Sequence, residues 1–314
     1  MFSRLPHSTR VALAFASVYL FWGSTYLAIH VAGEHLPVPV VSASRSTVST
    51  LIIVVACLAT RRSLRVPAGE PWKLILVGVL FMSGNNMLLT WGETMIPSGF
   101  ASLIIATLPI MVAILNGLLP GGDPMNRRAW AGTLLGMLGI AVLVWPSLER
   151  HRSAVGSHPL LGSAAALGAA VCFAVGSVLS RRFKFQANTF VATGWQIGAA
   201  ATFNWLVALC AGSIPRAHWT LHGVEAIVYL SVFGSIFGLV AFTYLLQNVA
   251  VTKVSTYAFV NPAIAVLLGV LLLGERMTAA EGAGMAIILC SVAMVVYSRV
   301  ELGRKPIEAA SAGN

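Results

Sequence analysis

The sequence predicts an all-α polytopic membrane protein of ten transmembrane helices, arranged as two inverted five-helix repeats. Three observations carry this expectation. Apolar residues make up 57% of the 314-residue chain and charged residues 10%, against about 25% charged in soluble domains. The apolar residues fall in stretches of about 20, the length that a ~30 Å hydrocarbon layer requires of a helix. Two Pro-centred segments also repeat. SLIIATLPIMVAILNGLL (Ser102–Leu119) and STYAFVNPAIAVLLGVLLL (Ser255–Leu273) each place a Pro seven residues after the opening Ser, and Pro109 and Pro262 lie 153 residues apart. Gly23-Ser24 recurs as Gly176-Ser177, and Trp91 has Tyr244 as its counterpart. Gly122-Asp123 with Gly132 returns, one residue out of step, as Gly274-Glu275 with Gly284. One unit is thus written twice, over 1–147 and 148–300, with 301–314 expected to be a disordered cytoplasmic tail.

The first span is Val11–Val31. It is about twice a signal peptide's apolar region of roughly 7–15 residues and lacks a small-residue cleavage site. Val40–Ala59, Trp72–Trp91, Gly99–Leu119 and Ala129–Pro146 complete the first repeat. Ser147–His158 joins the halves. Pro159–Leu179, Ala187–Gly212, Val224–Leu246, Val254–Leu273 and Ala279–Ser298 form the second. Connections are short and leave no room for a soluble domain. The four cysteines fall inside spans and read as small packing residues.

The net charge of +10 is distributed by side of the membrane, so it does not mark a nucleic-acid surface. With the N-terminus placed in the cytoplasm, fifteen Lys/Arg fall in inside segments and four (Arg150, Arg152, Arg216, Arg276) outside. Both termini are then cytoplasmic. Five spans per repeat is an odd number, so the second repeat is inverted relative to the first. Inverted repeats with broken helices are a common architecture of secondary transporters, with the breaks near the substrate site.

The residues FWGSTYLAI (Phe21–Ile29), Arg45, GETMIPSGFASLIIATLPI and TYAFVNPAIAVLLGVLLLGE (Thr256–Glu275) occur in order and at the repeat spacing. Together they resemble the EamA-type exporters of the drug/metabolite transporter superfamily, over roughly residues 11 to 300. The resemblance implies a ten-helix basket, with spans 1–4 and 6–9 around a central cavity and spans 5 and 10 peripheral. It also implies export of amino acids or small metabolites across the bacterial inner membrane. It names no substrate.

Polar groups in hydrocarbon must face protein or a watery cavity, and this selects candidate site residues. Arg45 is the one basic residue well inside a span, about 8 Å below its outer end at 1.5 Å per residue. Its guanidinium suits bidentate pairing with a carboxylate; the alternative is a side chain that snorkels to the interface. Trp195 and Gln196 stand at the matching stretch of span 7. Pro109 and Pro262 remove an N–H and free backbone groups near Ile105–Ala106 and Ala258–Phe259, with Thr107, Tyr257 and Asn261 close by. Trp22, Ser24 and Tyr26 surround Gly23. Asn85-Asn86 sit mid-span, with Trp91 and Tyr244 as an aromatic pair. Glu93 and His30, near the outer boundary, are the candidates for proton coupling. Any of these side chains has a structural alternative in interhelical packing or hydrogen bonding.

His218 and His222 have an i, i+4 spacing but no third ligand, so no metal is expected, nor any cofactor. The stripes Gly132-xxx-Gly136 with Gly139, Gly194-xxx-Gly198 and Gly234-xxx-Gly238 allow close helix contact. The first leaves a homodimer through peripheral helices and an intramolecular contact both open. No HExxH, GxSxG or membrane-facing acidic pair is present, which argues against a membrane enzyme. A channel has no need of duplicated broken helices. Efflux of lipophilic drugs is the rival within carriers. The expected partners are a small-molecule substrate and the lipid bilayer.

Overall fold

The computed structural model describes residues 6–33, 35–96, 101, 104–119, 125–150, 158–273 and 277–297. Ser102, Gly122, Asp123, Arg152, Gly274, Glu275, Arg276 and the tail 301–314 lie outside the described residues, as do the side chains of Tyr26 and His30. The described residues are helical, with no strand among them. The helices are α1 (His7–Gly33), α2 (Val38–Ala59), α3 (Pro71–Glu93), α4 (Leu108–Leu118) and α5 (Arg127–Arg150). They continue as α6 (Pro159–Phe183), α7 (Thr189–Cys210), α8 (Leu221–Asn248), α9 (Tyr257–Leu273) and α10 (Ala279–Val296). Among the described residues, seven helices are long and apolar enough to cross a membrane, one of them running from Val251 to Leu268. α7 has the length, but Gln196 and Asn204 keep it outside this set, and α1 includes Tyr26 and His30, whose side chains lie outside the described residues. α4, at 11 residues, is too short to span alone. Length and composition therefore do not by themselves reach ten spans.

Helix ends are set by local chemistry. Thr278 and Glu281 form a capping box at the start of α10, each side chain accepting from the other's backbone N–H. Thr220 caps α8 and Asn188 caps α7 in the same sense.

The main core is built from α1, α2, α3, α4, α6, α7, α8 and α9. α5 and α10 lie outside it and pack on each other, joined to the rest through Phe259, Val260 and Ala263 of α9. The α5 glycine stripe makes this pairing. A Cβ on Gly132 would meet Val295 at 2.8 Å, one on Gly136 would meet Ser291 Oγ at 2.5 Å, and one on Gly139 would meet Ile288 at 2.9 Å. Ser291 also donates to the Gly132 carbonyl at 2.7 Å. Within the chain the stripe makes an intramolecular contact.

The two Pro-centred breaks differ in detail. In the first, the helix opens at Ala106–Thr107, and Pro109 falls in the first turn of α4, where a missing N–H removes no helical bond. In the second, the break is at Ser255–Thr256, and α9 runs continuously through Pro262. At both breaks hydroxyls take carbonyls that the helix gives up. Thr107 Oγ1 donates to Ile104, Thr256 to Lys253 and Ser255 to Thr252, at 2.6–2.8 Å.

A second duplicated irregularity had no sequence expectation. α3 widens into π-helix over Val79–Asn85, and α8 does so over Leu230–Phe237. The two stretches occupy nearly equivalent places in the repeats. π-turns inside helices concentrate at functional sites because they disturb the regular bonding ladder and re-aim side chains.

Candidate functional site

A cavity of about 90 Å³ lies between the halves of the bundle. Six residues selected from the sequence line it: Trp22, Arg45, Asn85, Asn86, Tyr257 and Asn261. They come from α1, α2, α3 and α9, so both repeats contribute.

The cavity continues into a smaller recess lined by Ile29, Val38, Ser42, Arg45, Asn86 and Thr90. These residues belong to the end of α1, the start of α2 and the end of α3, so the recess leads toward one end of the bundle. The opposite end, where Arg61, Arg62, Arg181 and Lys184 lie, is packed by Ala14, Val18, Cys57, Leu74, Val178, Val191 and Val254. Polar ties reinforce it across the halves. The buried Glu70 carboxylate accepts from the Gln186 and Ala187 backbone N–H groups at 2.8 and 3.3 Å, and Trp195 Nε1 donates to the Leu64 carbonyl at 2.9 Å.

The π-turn of α8 holds two of the cavity side chains. Arg45 Nε donates to Ser235 Oγ at 2.7 Å, and Trp22 Nε1 donates to the Gly234 carbonyl at 2.9 Å. Both glycines of the Gly234-xxx-Gly238 pair are required by close approach. A Cβ at Gly234 would lie 2.7 Å from Thr25 and 3.0 Å from an Arg45 terminal nitrogen, and one at Gly238 would collide with the Trp22 indole nitrogen. The pair seats side chains from the other repeat.

Arg45 is 8% exposed. Its backbone carbonyl accepts from Ser49 and Ser231, while its two terminal nitrogens have no hydrogen-bond partner among the described residues. Trp22 meets Tyr257 and Phe173 edge-on, with centroids 4.9 and 5.8 Å apart, and Phe81 lies 4.8 Å from Phe173. These rings form an apolar wall. The Asn85 amide donates weakly to Asn86 at 3.4 Å, and Asn261 Oδ1 is buried without a partner.

The remaining candidates lie elsewhere. Ser24 bonds Tyr229 at 2.6 Å. Trp91 is exposed. Thr107 and Pro109 are at the first break and Pro262 is inside α9, none of them in the cavity wall. Gln196 is fully buried where α7 passes against Gly78 of α3. Tyr244 packs on the main core, and Glu93 closes α3. The cavity also takes in Phe81, Met82, Ile105, Phe173 and Gly234, which sequence reasoning did not select. The small polar pairs Ser83-Gly84 and Gly234-Ser235 inside apolar runs were the available signal for the π-turns.

His222 lies in the first turn of α8 and pairs with Glu225 at 3.2 Å. No group of three His, Cys, Asp or Glu able to hold a metal occurs among the described residues.

A duplicated apolar bundle around a central cavity, with a few polar side chains set in a largely apolar wall, defines a multi-pass membrane protein of transporter type. The chain belongs to the EamA-like transporter family, whose model matches residues 9–145 and again residues 160–297. It is 29% identical over 297 residues to the "Uncharacterized inner membrane transporter YedA" of Escherichia coli K12, covering 94% of each chain. It is 26% identical over 293 residues to the "Uncharacterized transporter YvbV" of Bacillus subtilis 168, covering 93% of each. A solved crystal structure of 22% identity shares the fold, with a TM-score of 0.76 over 91% of this chain and 96% of the other.

Proposed function

We propose that this chain is a secondary transporter of the inner membrane that exports amino acids or related small metabolites by alternating access. Its ten spans form two inverted five-helix repeats, with both termini cytoplasmic. The observation that carries this reading is the cavity. Both repeats line it, it leads to one end of the bundle, and packing closes the other. The closed end is the one with the basic loops, which the Lys/Arg asymmetry assigns to the cytoplasm. The conformation is accordingly outward-facing.

Exchange of conformations between the repeats would open the basic end and close the recess near Thr90. Glu70 with Gln186 and Ala187, Trp195 with Leu64, and Trp72 with Phe183 are among the contacts across the repeats at the basic end, so they must part in the inward-facing state. The name of the Escherichia coli relative supports the membrane assignment. Export of amino-acid-like compounds is favoured over efflux of lipophilic drugs because a buried, unpaired guanidinium disfavours a purely apolar occupant.

Substrate-saturable counterflow in proteoliposomes tests the transporter reading. Candidate substrates come from comparing metabolites exported by over-expressing cells with those from empty-vector cells. Conductance without counterflow, or identical metabolite profiles, would sink it.

A further inference from the structure

Among the described residues, the cavity carries one formal charge and no countercharge. Arg45 is buried with two terminal nitrogens free of hydrogen bonds among the described residues. No Asp or Glu lines the cavity or its recess among those residues. The acid nearest in sequence to the wall, Glu93, closes α3 outside it. A buried cation with no acid beside it calls for an anion from outside the chain. The other groups on the wall are neutral: the Asn85, Asn86 and Asn261 amides and the rings of Trp22 and Phe173. Asn261 Oδ1 itself is buried and has no partner among the described residues.

We propose that the cavity recognises organic monocarboxylates by the carboxylate alone. The carboxylate sits on the free side of Arg45, an apolar body lies against the ring wall, and any amino or hydroxyl group meets only neutral groups such as the Asn85 and Asn86 amides. Amines and cationic drugs lacking a carboxylate are turned away. The physical reason is asymmetric. A carboxylate gains an ion pair here, whereas a cation placed a few ångströms from Arg45 gains none and is disfavoured by about tenfold or more even at an effective dielectric of ~20. In an amino acid the pairing of the carboxylate offsets the repulsion of its own ammonium, so both the amino acid and the same acid without its amino group fit, the latter at least as well. This inference rests on reading the cavity as the transport site, and it narrows the substrate class of that site.

The test uses the purified full chain with its four cysteines replaced by alanine and a single new thiol at Thr90→Cys, in the recess beside Arg45. Two thiol reagents of similar size are compared, one carrying a sulfonate and one a trimethylammonium, each rate normalised to free cysteine. The expected result is an anion preference of about tenfold. It should be lost in Arg45→Gln and kept in Arg45→Lys, which also controls for misfolding of the neutral variant. Equal rates, or a cation preference, overturn the proposal.

Protection against the sulfonate reagent is then measured with four compounds of one isobutyl body. 4-Methylpentanoate and leucine should protect; leucinamide and isopentylamine should not. Protection by isopentylamine overturns the proposal. So does protection by leucine but not by 4-methylpentanoate, and so does the absence of protection by both acids up to their solubility. Because these measurements need no transport, failed counterflow with protection intact would remove the transporter reading and leave the anion site standing.

Discussion

Replacing Arg45 with Lys keeps the charge and removes the planar fork. In the structure the fork does two jobs at once. Nε is committed to Ser235 Oγ at 2.7 Å, and the two terminal nitrogens are left for the cavity. A lysine ammonium is a single point on a flexible stem and cannot hold Ser235 and a carboxylate in the same geometry. One charge-assisted hydrogen bond is then lost, worth about 1.5–3 kcal/mol, or roughly 10- to 150-fold in apparent affinity at about 1.4 kcal/mol per decade. Arg45→Gln also removes the charge and should be worse. The assay is counterflow of a carboxylated substrate in proteoliposomes, with the amount of reconstituted protein measured for each variant. The loss should appear in the concentration dependence more than in the maximal rate, because the fold contacts of the Arg45 backbone with Ser49 and Ser231 persist. Near-normal affinity in the Lys variant would mean that Arg45 only snorkels to the interface, and would remove it from the site.

Pro262→Ala restores an N–H toward the Ala258 carbonyl inside α9 and should slow transport while leaving expression within about twofold; Pro109→Ala, in the first turn of α4, should do less. Equal effects of the two would contradict the asymmetry of the breaks. Gly136→Val drives a side chain into Ser291 and the Phe259 ring and should destabilise the α5–α10 pair by about 1–3 kcal/mol, read as a lowered thermal midpoint in detergent. An unchanged midpoint would show that the stripe does not hold the pair. Glu70→Ala strips the acceptor from the Gln186 and Ala187 N–H groups and should increase modification of the buried Cys57 by thiol reagents, since it loosens the packed end; no increase would exclude Glu70 as a closing contact. Single cysteines beside Arg62 and Arg182 should resist an impermeant label on intact cells while one beside Arg276 reacts, and the reverse pattern would refute the inverted topology.

What the sequence determined by itself is what the bilayer imposes one residue at a time. Span length, the scarcity of charge, the Lys/Arg bias and the 153-residue repeat are all one-dimensional properties, and they led to the family before any helix was placed. Arg45, Asn85, Asn86 and Asn261 were legible for the same reason, since a polar side chain within an apolar run must find protein or water. The direction of an apolar or aromatic side chain was not legible. Lipid and helix interior are both apolar, so hydrophobic periodicity does not say which face turns inward. Phe173 and Phe81 went unselected although they wall the cavity, while Trp91, chosen on its repeat position, is exposed. Packing alone decided that the α5 glycines meet α10 and that Gly234 and Gly238 seat Arg45 and Trp22. For the π-turns the chain offered only the small polar pairs Ser83-Gly84 and Gly234-Ser235 within apolar runs. What the α8 turn holds was not legible, since Arg45 and Trp22 reach it from 190 and 212 positions away.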